Sequence, residues 1–329
     1  MFSKVLNKNI FLNEKTSKAT FLNSKCVWGE KKMLLIVGII IILGAVFGGY
    51  ALHGGSIGVI LEALPFEMLV IGGAAVGATI VGNKTSTLKK CLSDVVKCFK
   101  GTKWSKKDYQ DLLCLLFLIT KTIKTKGILV IEEHIEKPSE SSIFSQFPKI
   151  LADQFVISFI CDTLRIVTMS LEDPYQIEDN MQRQLDKYAH EVTAGSDALQ
   201  TMSDGLPAIG IVAAVLGVIK TMASIDQPPS VLGMMIGSAL VGTFLGVFLA
   251  YCIVGPMSNK AKAIHMQDLQ FLFIIRDTII AHLKGNAPQI SVEIGRGNVP
   301  GVYQPTFFEL EEAMKDLKVE NKEAAPQSD

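Results

Sequence analysis

Charge is scarce in this sequence, and where it is missing it is missing in long runs. Asp, Glu, Lys and Arg make up 19% of 329 residues against 49% hydrophobic residues, and the mean hydropathy is +0.34. Soluble chains rarely average so apolar. The 32 basic residues are balanced by 32 acidic ones, so there is no overall basic field to hold nucleic acid. Catalytic signatures are missing too. His190-Glu191 lacks the second histidine of a zinc-protease helix, and no phosphate loop, dinucleotide fingerprint or nucleophile elbow occurs. Six cysteines (26, 91, 98, 114, 161 and 252) form no CxxC pair and keep no zinc spacing with histidine, which argues against a disulfide framework or a metal site. No segment alternates as a strand would. These absences point away from an enzyme and toward an all-α membrane protein.

Four apolar runs are long enough to cross a ~30 Å hydrocarbon core at ~1.5 Å per residue. They are 33–52, 64–82, 205–224 and 231–255. The second carries Glu67 near its start and the third Lys220 near its far end, where long side chains reach the interface. Lys31 and Lys32 precede the first span, six lysines between 84 and 103 follow the second, and Lys260 and Lys262 follow the fourth. The two short connections, 53–63 and 225–230, hold no Lys or Arg. The expected orientation therefore puts both termini and residues 83–204 in the cytoplasm of a multi-pass inner-membrane protein. Glycines four apart (Gly44/Gly48, Gly73/Gly77, Gly233/Gly237, Gly242/Gly246) suggest closely packed spans and an oligomer.

Residues 1–32 are polar, with no apolar stretch ahead of Met33, and do not form a signal peptide. Gly29-Glu30-Lys31-Lys32-Met33 is compatible with a translated ribosome-binding site before a start codon, so Met33 is the expected start. The other reading is a disordered basic extension. Residues 105–126 have helix polarity, with an apolar stretch too short to span, and end at Gly127. A short helix over 132–136 stops at Pro138, another runs from Pro148 to about Ser170, and Pro174 opens a polar one to about Thr201. Residues 258–284 are amphipathic, and the last ~15 residues read as disordered. The linear organisation is thus 1–32 extension, 33–82 first span pair, 83–204 cytoplasmic helices, 205–257 second span pair, and 258–329 C-terminal helix and tail. Glu132, Glu133, His134 and Glu136 could hold a metal, but a solvated acidic face is the commoner state of such a cluster.

Several stretches resemble the MotA branch of the MotA/TolQ/ExbB proton channel superfamily. They are 46–56 (VFGGYALHGGS), 132–138 (EEHIEKP), 148–153 (PKILAD), 206–217 (LPAIGIVAAVLG) and 241–246 (VGTFLG), with Ala250-Tyr251 and Gly255-Pro256. The resemblance implies a flagellar motor stator subunit. Five copies would surround two copies of a MotB-like partner, which supplies a membrane aspartate. It implies no cofactor, with H⁺ as the transported ion, and lipid but no nucleic acid as surroundings. Pro207 and Pro256 become the coupling prolines, although the residues alone read as a helix start and a helix stop. Thr243 and Tyr251 could face the ion path, although a lone membrane Thr more often bonds its own backbone. Ala214 stands where sodium-driven relatives have Thr, and a methyl group cannot coordinate Na⁺. Lys124 and Glu132 match the charged pair that meets the rotor protein FliG, with Lys where the family often has Arg; taken alone they are ordinary solvated charges. The alternative in the same superfamily is an ExbB/TolQ-like energiser of outer-membrane transport.

Overall fold

Among the described residues, four helices have the length and apolarity to cross a membrane, and every regular element is helical. The computed structural model describes residues 33–169, 173–315 and 317. The extension over 1–32 and nearly all of the C-terminal tail lie outside them, as do the readings made for those segments.

The helices are α1 (Met33–Leu52), α2 (Ile57–Gly82), α3 (Thr85–Lys100), α4 (Lys106–Lys126), α5 (Val130–Glu136), α6 (Pro148–Leu151), α7 (Gln154–Thr168), α8 (Pro174–Met222), α9 (Pro229–Leu283), α10 (Pro288–Gly297) and α11 (Phe307–Lys315). They fall into two compact units. One takes the described residues up to Gly101 together with Val192–Ile264; the other takes Thr102–Glu191 and those from His265 on.

The first unit holds the four apolar spans and α3. Its outer faces are apolar: Phe66 is 73% exposed, Leu69 75% and Val81 90%. That is tolerable only where lipid or another chain covers them. Inside, Ile71, Ala75, Leu206, Ala213, Leu245 and Ala250 are buried together. Beyond the spans, the Ser258 hydroxyl donates to Ser196 O at 2.7 Å and Lys262 meets Asp197 at 2.8 Å.

The second unit is built around α4. The Asp108 carboxylate accepts the Ser105 backbone N–H at 2.7 Å, which starts the helix, and Gly127 at φ +85° ends it. Leu112, Leu113, Leu115, Leu116 and Ile119 are fully buried, each contributing ~1.5–3 kcal/mol by removal from water. The expectation of a buried rather than spanning run at this point holds. Trp104 stacks on Phe271 at 4.0 Å, and Val292 and Leu310 close the core from α10 and α11. Cys114 and Cys161 lie in this core, and burial pushes both thiols up to about 12, so neither is a nucleophile at neutral pH.

Four boundaries differ from the sequence reading. The helix expected from Pro148 breaks at Asp153, whose carboxylate accepts the Phe155 and Val156 N–H groups and starts α7 afresh. The polar helix from Pro174 does not stop near Thr201 but continues through Pro207 to Met222. The fourth span continues without a stop into the amphipathic segment as α9. Finally, α2 begins at Ile57 rather than Leu64, so ten residues precede Glu67 within the helix. Glu67 is therefore not an end-of-span charge.

Candidate functional site

Two regions carry the residues singled out from sequence: the contact between α8 and α9 in the first unit, and the tip of α4 and α5 in the second.

The α8–α9 contact is made by glycine. A β-carbon on Gly246 would stand 2.7 Å from Leu206 O and 2.8 Å from Gly210 Cα, and one on Gly217 would stand 2.5 Å from Ala239 Cβ. Backbone meets backbone here, which only residues without a side chain permit. Of the four glycine pairs, Gly242/Gly246 makes this contact, whereas Gly44, Gly48, Gly73, Gly77 and Gly233 have open space. Gly210 and Gly217, seven apart on one face of α8, were missed; the seven-residue spacing was the available signal.

Pro207 and Pro256 both lie inside continuous helices, neither opening nor closing one. Each leaves a carbonyl one turn back without its usual donor. Ahead of Pro256 the helix loosens into a π turn over Leu249–Val254, in which Gly255 N–H reaches back to Ala250 O. The Ser203 hydroxyl, one turn before Pro207, donates to the same Ala250 O at 2.8 Å. The two loosened turns are thus joined by one hydrogen bond. The residues alone read as a helix start at Pro207 and a helix stop at Pro256, whereas both helices continue through. Ala214 stands two turns beyond Pro207 on the same side of α8 and is partly exposed, while Ala213 beside it is buried. Thr243 is half-buried next to Gly242, and Tyr251, within the π turn, is exposed.

At the other region, Lys124 lies in the last turn of α4 and Glu132 in the first turn of α5, either side of the Gly127 turn. Both are exposed, and among the described residues neither is in an ion pair. Ile131 and Ile135 are buried and pin α5, which turns Glu132, Glu133 and Glu136 outward. The acidic cluster is otherwise engaged: His134 Nδ1 pairs with Ser141 Oγ at 2.9 Å and Glu136 accepts from Arg165 Nε at 2.8 Å. Among the described residues no group of three metal-ligating side chains gathers.

His282 is buried in the same unit, with Nδ1 3.3 Å from Asn286 O. Burial pushes its pKa down; the Asn286 carbonyl opposes that, and the charge of Lys124 adds to it. A histidine that protonates less readily when folded contributes stability above its unfolded pKa of ~6.5, and that stability is lost as pH falls below this value. Thermal melting of the purified full-length protein is therefore expected to fall between pH 7.5 and 5.5. His282→Gln should flatten the profile, and an unchanged slope in that variant would refute the assignment.

Residues 36–127 match the Motility protein A N-terminal family, and residues 152–270 match the MotA/TolQ/ExbB proton channel family. The chain is 36% identical over 291 residues to motility protein A of Salmonella typhimurium, an alignment covering 88% of this chain and 98% of the relative. It is 37% identical over 286 residues to motility protein A of Escherichia coli K12, covering 87% and 96%. Its fold matches the flagellar MotAB stator complex of Bacillus subtilis at a TM-score of 0.61 and 22% identity, over 84% of this chain and 98% of that one. It also matches C. jejuni MotAB at a TM-score of 0.63 and 18% identity, over 81% and 95%.

Proposed function

Because this chain belongs to the motility protein A family, within the MotA/TolQ/ExbB proton channels, we propose that it is a flagellar stator subunit. It is a multi-pass inner-membrane protein that, with a MotB-like partner, forms an ion channel and turns ion flow into torque. The observation that carries this reading is identity above 35% running through both span pairs and the region between them, over nearly the full length of two motility proteins. The ExbB/TolQ alternative is set aside for that reason.

The finer assignments are part of the proposal. Protons are the driving ion, since Ala214 offers no oxygen ligand for Na⁺. One charge crossing 100 mV supplies ~2.3 kcal/mol, so a turn of the rotor consumes many of them. The partner's membrane aspartate takes and releases each proton. The joined turns at Pro207 and Pro256 are where that change becomes helix movement, because each already lacks a helical hydrogen bond and bends at low cost. Thr243 and Tyr251 line the path. Lys124 and Glu132, both exposed, meet complementary charges on FliG. Five copies surround two partners, covering the apolar outer faces with one another and with lipid, and both termini lie in the cytoplasm.

Deletion of the gene is expected to leave filaments intact but abolish swimming, with motion restored by the gene in trans. Normal swimming, in a genome without a second stator set, overturns the reading.

A further inference from the structure

Glu67 has a place in the first unit that the stator reading does not use. Its carboxylate reaches across to α9, where a β-carbon on Gly242 would stand 2.6 Å from Glu67 Oε2 and 3.2 Å from Ala213 Cβ of α8. The carboxylate thus fills the notch where α2, α8 and α9 meet, and the missing side chain of Gly242 makes that notch. Glu67 Oε2 is fully buried and has no hydrogen-bond partner among the described residues.

Depth follows from the three helices independently. Glu67 is ten residues from the Ile57 start of α2, Ala213 nine from the Met222 end of α8, and Gly242 thirteen from the Pro229 start of α9. At ~1.5 Å per residue these are roughly 14–20 Å, about halfway through a ~30 Å core. The groups that could neutralise a charge there are remote. On α2 the other acid is Glu62, which is exposed; α1 carries no charged residue; α9 carries none from Pro229 to Asn259. On α8 the nearest are Asp204 and Lys220, nine and seven residues from Ala213 and both exposed. An unpaired carboxylate at mid-membrane is costly, and ionisable side chains at that depth mark ion pathways.

Resting on the stator reading, we propose that Glu67 is a second protonatable group of the ion path, supplied by this chain itself. It holds a proton in the α2–α8–α9 notch and gives it up when a cation passes. Gly242 belongs to the site as the residue whose lack of a side chain admits the carboxylate. Thr243, next along α9, is the neighbouring hydroxyl.

Two measurements on the full-length protein with its partner test this. A hydrophobic carbodiimide reacts with a protonated carboxyl group within a membrane, and mass spectrometry reads the site. Labelling of Glu67 is expected at pH 6–7 and should fall as pH rises; no labelling at any pH overturns the proposal. Glu67→Gln keeps the shape but cannot release a proton. It is expected to accumulate normally yet reduce motor speed at low load several-fold and flatten its dependence on external pH. Full speed and a normal pH profile in this variant overturn the proposal, even with Glu67 labelled in the wild type. Slow rotation without labelling also overturns it, leaving only a packing role. If the gene deletion itself leaves swimming intact, the stator reading has failed instead.

Discussion

Gly246→Val is expected to remove most of the protein from the membrane, with assembled complex down on the order of tenfold and swimming lost. The added β-carbon meets Leu206 O and Gly210 Cα. Both are backbone, so no side chain can swing aside to make room. The helices must separate instead, and overpacking of this kind costs ~1–3 kcal/mol or more, with ~1.4 kcal/mol per factor of ten. Separation also pulls Ser203 from Ala250 O, leaving the π turn without its brace. Gly233→Val is the control. It lies on the same helix, and its β-carbon meets nothing within 4 Å. Quantitative immunoblots of membrane fractions decide the matter: equal accumulation of the two variants would mean that α8 and α9 do not depend on this contact.

The second large effect is expected at the cytoplasmic tip. Lys124→Glu should abolish or severely reduce swimming while membrane levels stay unchanged. Lys124 is exposed, so its replacement changes stability by only about ±0.5 kcal/mol. A like-charge contact at an interface, by contrast, costs several kcal/mol. Glu132→Lys should act in the same direction, since Ile131 and Ile135 continue to hold α5. Reversing the facing charge on the rotor protein should return part of the motility to either variant. Swim-plate expansion read beside immunoblots measures both. Normal swimming with Lys124→Glu, retained when Lys121 and Lys126 are also neutralised, would remove the tip from the rotor contact.

Three of these tests concern residues whose roles depend on different amounts of structure. Lys124 was singled out by its resemblance to a family position alone, since an exposed charge at a helix end reads by itself as an ordinary solvated residue; the structure adds only that it lies exposed beside the Gly127 turn. Gly246 was half legible: its spacing from Gly242 suggested close approach, but three other pairs had the same spacing, and five of their six glycines have open space around them. Glu67 was misplaced. Starting the apolar run at Leu64 put Glu67 near its end, where a long side chain reaches the interface. In the fold the residues before it, from Ile57 on, are helix.

The sequence by itself determined the helical class, the four membrane-crossing segments and the buried stretch of α4. These rest on local quantities, the length of an apolar run and the caps at its ends, which a chain carries wherever it goes. Tertiary structure alone decided which glycines touch backbone, that Pro207 and Pro256 sit inside helices, and that Glu67 lies well inside α2 against Gly242. The reason is that each depends on a partner far away along the chain. A proline bends a helix rather than ending it when a neighbour such as Ser203 braces the loosened turn. A glycine matters only where another backbone arrives, and the depth of a carboxylate is set by the helices that enclose it.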